Sequence, residues 1–287
     1  MAKDTFLNRK IVLDRQDQHF ELPGPAIMAI LNLTPDSFYA GSRIAGADMA
    51  LAQTAGFLKA GAAIIDLGAY SSRPGAEHIT EEDELKRLIP VLRRLVDAFP
   101  QALFSVDTFR ARVAAEAVGA GAHIINDISA GSLDPEMFAT VAALRVPYIL
   151  MHMKGTPQTM QQNPEYDDVT AEVIAYFREK IAALRQAGVK DILIDPGFGF
   201  GKTVAHNYAL LQHLDQLLPL NLPLLVGLSR KSMITKVLGN TAAEALNGST
   251  VLHTLALLKG ASILRVHDVK EAAECVKLVG LSLADFS

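Results

Sequence analysis

The sequence predicts a single (β/α)8 barrel preceded by a short β-hairpin, and three observations support this fold class. Eight short apolar runs recur along the chain, most of them separated by spacers of helix length. Glycines mark joints between helical stretches and the runs that follow them. The chain has 287 residues, half of them apolar, so it can bury a large core. Eight units on this length favour a closed barrel over an open doubly wound sheet.

The first predicted element is a hairpin. Residues 10–22 precede the first apolar run and have no helical partner. We interpret residues 11–13 and 19–22 as its two strands, covering the floor of the barrel within an extension of residues 1–24. No linker rich in proline, glycine or serine divides the chain. The whole sequence, residues 1–287, is therefore predicted to be one domain.

The apolar runs predict the eight strands of the barrel. They lie at residues 27–32, 63–68, 103–107, 123–127, 147–152, 192–195, 223–228 and 262–267. Apolar runs of this length, joined by crossovers, are typical of parallel strands that are buried on both faces.

The spacers between the runs predict the helices. Residues 81–99 and 167–187 have apolar side chains at helical spacing, with charges between them. Four glycines share a position between a helical stretch and the next strand: Gly61, Gly121, Gly188 and Gly260. Glycine at such a joint can adopt the left-handed conformation that ends a helix.

Composition excludes several classes of protein. The chain has 27 basic and 31 acidic residues, so no basic excess indicates nucleic-acid binding. The first ten residues lack the apolar core of a signal peptide, and no stretch approaches about 18 uninterrupted apolar residues. Cys275 is the only cysteine, so no disulfide can form within the chain. We therefore expect a cytoplasmic protein that binds neither membrane nor nucleic acid.

Polar residues follow most of the predicted strands at their carboxyl ends, where the active site of such a barrel lies. These residues are Asn32, Asp107, Asn126 with Asp127, His152, Asp195, Ser229 with Arg230 and Lys231, and Arg265 with His267. A single Asp or Asn at a strand end often only caps the next helix. So many of them predict side chains that converge on one mouth. Asp66, inside the second strand, is instead interpreted as a structural hydrogen-bonding residue, and His152 has no obvious partner.

The types of side chain indicate the kind of ligand. The carboxylates and amide of Asp107, Asn126 and Asp195 can read the edge of a flat heterocycle through paired hydrogen bonds. Positive charge suited to a phosphate group comes from Arg73, Arg265, Lys231 and His267. Asn32, together with phosphate oxygens of the ligand, would suit Mg²⁺. Residues 197–202 are rich in glycine but lack the spacing of a phosphate loop or a dinucleotide fingerprint.

The motifs resemble those of the dihydropteroate synthase family. They lie, in the order of that family, at residues 30–38, 72–75, 105–107, 124–127, 151–153, 195–202, 229–232 and 265–268. The matches cover about residues 25 to 270 and involve all eight predicted strands. The resemblance implies an enzyme of folate biosynthesis that joins a pterin pyrophosphate to p-aminobenzoate, uses Mg²⁺ and forms a homodimer. Sulfonamides resemble p-aminobenzoate, so ordinary sulfonamide sensitivity is expected.

The resemblance also implies a role for each site residue. The implied pterin-binding residues are Asp107, Asn126, Met153, Asp195, Phe200 and Lys231. The implied pyrophosphate-binding residues are Asn32, Arg73, Arg265 and His267, and Asn32 would also be the metal ligand. The implied p-aminobenzoate pocket consists of Phe38, Ser72, Pro74, Lys231 and Ser232. The residues implied in catalysis are Asp107, Asp195, Lys231 and Asp36, and the helical stretches 241–259 and 269–283 are the candidate dimer surfaces.

Two loop positions depart from the family pattern. Ala40 stands where the family commonly has an aspartate, and Tyr70 stands where it commonly has a glutamate. We hypothesise that Asp36 carries more of the missing role, so that Asp36→Ala would cut turnover well below that of an Ala40 variant. Two alternatives follow from these departures and from the shared scaffold. One is a catalytically impaired homologue, and the other is the pterin-binding module of a corrinoid-dependent methyltransferase.

Overall fold

A computed structural model of the chain describes residues 10–33, 43–70 and 78–283. The strands in these residues are β1 (Ile11–Arg15), β2 (Gln18–Leu22), β3 (Ala26–Asn32), β4 (Ile64–Gly68), β5 (Leu103–Asp107), β6 (Ile124–Asp127), β7 (Tyr148–Met151), β8 (Ile192–Asp195), β9 (Leu225–Val226) and β10 (Ile263–Val266). The helices are α1 (Arg43–Lys59), α2 (Glu81–Ala98), α3 (Ala111–Gly119), α4 (Met137–Leu144), α5 (Val169–Ala187), α6 (Val204–Gln212), α7 (Ser232–Leu238), α8 (Leu246–Leu258) and α9 (Val269–Ser282), with a 3₁₀ helix at Leu214–Leu220.

The eight strands from β3 to β10 form one parallel sheet that curls into a barrel. Neighbouring strands follow the order of the chain from β3 to β8, and β10 lies between β3 and β9. The ring closes between β8 and β9, because Ile194 forms a parallel bridge with Leu224, and the Ile194 N–H donates to the Pro223 carbonyl at 3.0 Å. The predicted (β/α)8 fold is confirmed. The strand predicted at 223–228 is shorter than expected, because Gly227 and Leu228 already lead into the following turn.

The predicted N-terminal hairpin is also confirmed. Strands β1 and β2 pair antiparallel, with Ile11 opposite Leu22 and Leu13 opposite Phe20. The buried side chains of this hairpin pack against a layer of apolar residues at the lower end of the barrel. That layer consists of Met28, Ile64, Leu103, Ile124, Ile149, Leu193, Leu225 and Ile263, one from each strand of the sheet. The hairpin therefore closes the end of the barrel opposite to the polar strand ends.

A second, larger core lies between the sheet and the helices. Because successive side chains of a strand point to opposite faces, the neighbours of the floor residues point outward. Phe104 and Tyr148, for example, are fully buried against the helices. Burial of each such large side chain stabilises the fold by about 1.5–3 kcal/mol. None of the described helices is long and apolar enough to cross a membrane.

Side-chain caps begin two of the helices, and the predicted glycines follow helix ends. Thr80 caps α2, and the Asp168 carboxylate accepts from the N–H groups of Thr170 and Ala171 at the start of α5. The four glycines predicted at helix-to-strand joints all have a positive φ, between 92° and 109°. These joints direct each chain segment back into the sheet, so that all eight strands end on the same side.

Candidate active site

The register of the strands places several predicted residues in one row at the mouth of the barrel. Asn32 of β3 lies opposite Gly68 of β4, Gly68 lies opposite Asp107 of β5, and Asp107 lies opposite Asn126 of β6. A Cβ added to Gly68 would lie 3.8 Å from Asn32 Oδ1 and 3.9 Å from Asp107 Oδ2. Glycine at this position therefore leaves room between the amide and the carboxylate that flank it.

Arg265 links Asp107, which belongs to this row, to Asp66, which lies two residues before Gly68 on β4. The Arg265 Nε donates to Asp66 Oδ2 at 2.7 Å, and its Nη2 donates to Asp107 Oδ2, also at 2.7 Å. The Asn126 Nδ2 donates to the same Asp66 oxygen at 3.1 Å. Asp66 is completely buried. Four side chains from β4, β5, β6 and β10 thus form one connected polar cluster.

The charges of this cluster influence one another. Burial raises the pKa of Asp107 to about 7; the positive charge of Arg265 opposes this rise, and the carboxylate of Asp66 adds to it. Burial alone would lower the pKa of Arg265, but the attraction of Asp66 and Asp107 outweighs it and raises that pKa. The guanidinium is therefore charged at every physiological pH, whereas burial favours the neutral form of Asp107 in the free protein.

A glycine-rich loop, residues 196–201, follows β8 on the other side of the mouth. The Gly197 N–H donates to Asp195 Oδ1 at 2.8 Å, and burial raises the pKa of Asp195 although the charge of Lys231 opposes this. Gly197 has a φ of +67°, and a Cβ added there would lie 1.9 Å from the His152 carbonyl oxygen. The loop can therefore pack backbone against backbone only because this residue is glycine.

Lys202 holds this loop from beneath. Its Nζ donates to the carbonyls of Gly197 at 3.0 Å and Phe200 at 3.1 Å, and it lies 2.8 Å from His152 Nδ1. An ammonium group has three hydrogens and no acceptor, so these three contacts use its full capacity. The side chain is almost completely buried, which lowers the pKa of Lys202 to about 7, and burial lowers the pKa of His152 to about 3.

Side chains from several elements bind the carbonyls of the loop. All five carbonyls from 197 to 201 accept a hydrogen bond from a side chain, two of them from Lys202. The other three accept from Lys231 at Phe198, from Gln161 at Gly199 and from Tyr166 at Gly201. The N–H groups at 197, 199 and 200 bond within the protein as well, to Asp195, Asn207 and the Gly197 carbonyl. A phosphate loop presents its N–H groups to the ligand, so this geometry agrees with the sequence-based exclusion.

Lys231 reaches the mouth through a space that two glycines provide. A Cβ on Gly227 would lie 3.7 Å from Lys231 Nζ, and one on Gly199 would lie 3.5 Å from its Cδ. The Nζ also lies 4.9 Å from the centre of the Phe200 ring. Burial lowers the pKa of Lys231 to about 8, although the attraction of Asp195 opposes this.

The residues on either side of Lys231 point elsewhere. Arg230 has a left-handed backbone, with a φ of +56°, and its guanidinium binds both carboxylate oxygens of Asp268 at 2.8 and 2.7 Å. It also donates to the carbonyls of residues 242 and 243. Arg230, predicted among the strand-end residues, therefore connects the start of α9 to the segment before α8. The Ser229 Oγ lies 3.1 Å from His267 Nδ1, and Ser232 begins α7 in an exposed position.

The structure brings together much of the predicted site. Asn32, Asp107, Asn126, Asp195, Lys231 and Arg265 surround one mouth, and Met153, Phe200 and His267 lie half-buried at its edge. Five predicted residues lie outside the described part of the chain, and so does Ala40. They are Asp36, Phe38, Ser72, Arg73 and Pro74.

Tyr70, the residue that departs from the family pattern, lies at the rim. Its hydroxyl is 3.2 Å from His78 Nδ1, and it accepts a hydrogen bond from Gln158 Nε2 at 3.3 Å. Its ring meets Phe109 edge to face, with 5.1 Å between the ring centres, and the Arg110 guanidinium lies over it at 5.5 Å. Tyr70 therefore joins the two chain ends that flank residues 71–77 and connects them to the segment after β7.

Some functions of individual residues were not apparent from the sequence. The sequence indicated no role for Lys202 and no partner for His152. In the structure these two side chains contact each other. Asp127 accepts from Ser129, from the Gly131 N–H and from the Tyr148 hydroxyl, so it shapes the loop after β6. The position of Lys202 was the one available signal. A charged residue that directly follows an apolar, glycine-rich loop has backbone carbonyls nearby that its amine can bind.

These features define a class of protein: a (β/α)8 enzyme whose mouth suits a flat hydrogen-bonding ring and an anion. The family model described as pterin binding enzyme matches residues 28–267. The dihydropteroate synthase of Escherichia coli K12 is 46% identical over 94% of this chain and 95% of its own length. That of Haemophilus influenzae is 42% identical over 90% and 94%.

Solved structures agree with these relatives. The Yersinia pestis dihydropteroate synthase in a sulfonamide drug complex has a TM-score of 0.88 and 42% identity, covering 95% of this chain and 99% of that one. The Xanthomonas albilineans enzyme with 4-aminobenzoic acid has a TM-score of 0.88 and 42% identity, covering 96% and 99%. The chain belongs to the dihydropteroate synthase family of pterin-binding enzymes.

Proposed function

We propose that the chain condenses 6-hydroxymethyl-7,8-dihydropterin pyrophosphate with p-aminobenzoate, giving 7,8-dihydropteroate and pyrophosphate. One observation carries this proposal: two carboxylates, two amides and an arginine from five strand ends meet around one mouth, together with the lysine that precedes α7. The related Xanthomonas albilineans enzyme has been solved with 4-aminobenzoic acid and with 7,8-dihydropteroate, the latter at 40% identity to this chain. The same relationship supports binding of sulfonamides.

The pterin ring is proposed to bind between the polar cluster and the glycine loop. Asp107 and Asp195 accept hydrogen bonds from ring N–H groups, and Asn126 contributes its amide. Met153 and Phe200 pack beside the ring, and Lys231 donates from the loop side. Because Asp107, Asn126 and Asp195 end strands, and Phe200 lies on a loop whose carbonyls from 197 to 201 are all bound, the pocket is preorganised for a rigid ligand.

The pyrophosphate is proposed to bind at the opposite edge of the mouth. Arg265 and His267 come from the end of β10, and Asn32 comes from the end of β3. Arg73 remains a predicted contributor that lies outside the described residues. The positive charges of Arg265 and Arg73 offset the charge of the leaving group, and Asn32 and His267 add hydrogen bonds, so that pyrophosphate can depart with an electron pair.

Mg²⁺ is proposed to accompany the pyrophosphate. The Asn32 Oδ1 is the kind of oxygen ligand that Mg²⁺ prefers, and the glycine at 68 leaves room beside it. In the described part of the chain, no group of three or more His, Cys, Asp or Glu residues could hold a metal ion. This fits an ion that takes one oxygen from the protein and the others from phosphate and water. When bound, Mg²⁺ withdraws charge from the pyrophosphate oxygens.

The displacement is proposed to be dissociative. The bond between the pterin methylene carbon and the pyrophosphate oxygen breaks, and the electron pair leaves with pyrophosphate. The cation that remains is delocalised into the ring, where ionised Asp107 and Asp195 stabilise it more than they stabilise the neutral substrate. The amine of p-aminobenzoate then forms the new C–N bond with its lone pair and loses a proton to water. That amine is neutral near pH 7, so the reaction requires no strong general base.

The p-aminobenzoate pocket is proposed to lie above the pterin. The stem of Lys231 forms one wall, and Ser232, exposed at the start of α7, meets the carboxylate of the substrate. Phe38, Ser72 and Pro74 are predicted to complete the pocket. Asp36 is proposed to assist the cation, because alanine stands at position 40 where the family commonly has an aspartate.

Pyrophosphate release by the purified chain tests the proposed function. The chain is mixed with the pterin pyrophosphate and Mg²⁺, with and without p-aminobenzoate. Release that depends on p-aminobenzoate, together with a pteroate product, is the expected result. Tight pterin binding without product would instead support the catalytically impaired homologue. Transfer of a methyl group to a corrinoid partner would support the methyltransferase module, which the named relatives disfavour.

A homodimer through the late helices is proposed as well. Eight large apolar residues of this region are 41–67% exposed: Val237, Leu238, Val251, Leu255, Leu258, Leu278, Leu281 and Leu283. They lie on or directly after α7, α8 and α9, which overlaps the surfaces predicted from the sequence. Leu278→Glu is expected to convert the dimer to a monomer in light scattering. Val12→Glu, on the hairpin and 54% exposed, is the matched control and should leave the mass unchanged.

The domain organisation and the location of the chain are proposals as well. Residues 1–287 are proposed to fold as one domain, supported by the contact of the hairpin with the barrel floor. One cooperative unfolding transition is the expected observation. A cytoplasmic location is proposed from the similarity to bacterial dihydropteroate synthases and can be tested by cell fractionation.

A further inference from the structure

We propose that Asp66 is a positioning residue of the pterin site, which fixes Asn126 and Arg265 through a single carboxylate oxygen. This inference rests on the proposed function, because it concerns how the same site recognises the pterin. Asp66 lies inside β4, two residues before the open position at Gly68, and its side chain is completely buried.

The contacts of Asp66 determine which way the Asn126 amide faces. Asp66 Oδ2 accepts from Asn126 Nδ2 at 3.1 Å. Because this oxygen also accepts from Arg265 Nε, a flipped amide would place its carbonyl oxygen against another acceptor. Asp66 therefore selects one of the two amide orientations. Asn126 keeps its carbonyl oxygen and its second amide hydrogen for other partners, and these are the atoms that can read a pterin edge.

The same oxygen fixes the plane of Arg265. The guanidinium donates its Nε to Asp66 and its Nη2 to Asp107, each at 2.7 Å. A planar fork that is held at two points by two carboxylates cannot rotate about its long axis. Removal of Asp66 would free Arg265 to form a bidentate pair with Asp107, which would compete with the pterin for that carboxylate.

One feature argues against a role in stability alone. The second oxygen of Asp66, Oδ1, is buried and has no hydrogen-bond partner within the described residues. A buried acceptor without a partner disfavours the folded state. A carboxylate that served only the core would gain from binding through both oxygens, whereas Asp66 directs one oxygen to two residues of the site.

The test compares variants that remove the acceptor with one that keeps it. Asp66→Ala and Asp66→Val both lack an acceptor, and valine also fills the space and suits a strand. Asp66→Asn keeps an acceptor oxygen of the same size. We expect the first two to weaken binding of 6-hydroxymethylpterin on the order of tenfold or more, as loss of a residue that orients ligating groups commonly does. Asp66→Asn should recover most of that loss, and the KM for p-aminobenzoate should change less than about twofold in all three.

A matched control lies on the neighbouring strand. Ser105 of β5 stands opposite Asp66, and its hydroxyl is likewise buried without a partner among the described residues. Ser105→Ala removes a buried polar atom at the same depth but leaves the cluster intact. Its pterin affinity should stay within about twofold of the parent chain, because it removes no hydrogen bond.

A double-mutant cycle identifies the route of the effect. If Asp66 acts in part through Asn126, then Asp66→Val should weaken pterin binding several-fold less in an Asn126→Ala background. Equal losses in both backgrounds would overturn this route. Equal rises in both KM values, or failure of both acceptor-free variants to fold, would show a purely structural residue and overturn the inference. Failure of the unmodified chain to bind the pterin would instead overturn the proposed function.

Discussion

The two sides of the mouth are built in different ways. On the cluster side, strand residues Asp66, Asp107, Asn126 and Arg265 position one another through charges and hydrogen bonds. On the loop side, residues 196–201 have no strand partner, and side chains from elsewhere bind each carbonyl from 197 to 201. The cluster side positions side chains, and the loop side positions a backbone.

This difference determines what each side tolerates. A strand already fixes the direction of its side chains, so the cluster side depends on the charge and type of a few groups. The loop has no such frame, and it depends on the absence of side chains at its glycines and on the donors beneath it. Substitutions that change shape should therefore damage the loop side, and substitutions that change charge should damage the cluster side.

The largest effect is expected for Gly197→Ala. Its Cβ would lie 1.9 Å from the His152 carbonyl oxygen, at a φ of +67° that alanine rarely adopts. We expect a loss of about 3 kcal/mol or more in the free energy of unfolding, together with loss of activity, because backbone has to move. Urea denaturation measures the first and pyrophosphate release the second. Gly56→Ala in α1 is the control, since a Cβ there meets nothing within 4 Å. Equal denaturation midpoints for the two variants would contradict the prediction.

On the cluster side, one substitution is expected to lower activity and to raise stability. Asp107→Asn should lower kcat by about 10²–10³-fold, because a neutral amide stabilises the pterin cation poorly. The same change should stabilise the free protein above pH 7. The pKa of Asp107 is about 7 in the folded chain and about 4 in an unfolded one, so the folded state binds the extra proton between these values. Wild-type stability from this group is therefore lost as the pH rises from about 4 through 7.

Thermal unfolding of both chains at about pH 4 and about pH 8 measures this second effect. The free energy of unfolding of the variant should differ little from that of the parent at the lower pH, and it should be higher than that of the parent by on the order of 1 kcal/mol or more at the higher pH. A difference that does not change with pH would show that folding does not raise the pKa of Asp107.

Loss of Lys202 tests the loop side with a smaller expected effect. Lys202→Met keeps the length of the side chain but leaves two carbonyls and His152 without their donor. We expect the free energy of unfolding to fall by about 1–3 kcal/mol and pterin affinity to fall with it. Lys86→Met is a control, because that side chain is 62% exposed on α2 and its Nζ lies 3.9 Å from Asp83 Oδ1. Unchanged pterin binding in Lys202→Met would show that the other donors suffice for the loop.

The smallest effect is expected at the rim. Tyr70→Phe keeps the ring contacts with Phe109 and removes only the hydroxyl that meets His78 and Gln158. Binding of p-aminobenzoate should weaken by about 0.5–1.5 kcal/mol. This loss should appear as a rise in the KM for p-aminobenzoate, while the KM for the pterin stays unchanged. A larger rise in the KM for the pterin would place Tyr70 with the first substrate instead.

The sequence predicts much of this architecture because its signals are local. Apolar runs, helical periodicity and joint glycines such as Gly61 each depend on a few neighbouring residues, and the barrel then brings the strand ends together. Contacts between distant residues left no such signal. Asp66 meets Arg265 199 positions further along the chain, and His152 meets Lys202 50 positions further along. Arg230 turns away from the mouth because of one positive φ, which the sequence does not display.

The hairpin at the floor of the barrel has a kinetic consequence. Because β1 and β2 cover the lower end, molecules enter and leave past the carboxyl ends of the strands. Asp107 and Asp195 lie deeper in that passage than the exposed Ser232 at the start of α7. A molecule bound at Ser232 would lie in the route to the two carboxylates, so the molecule that binds at the carboxylates must arrive first. This order of arrival follows from a passage that is open at one end.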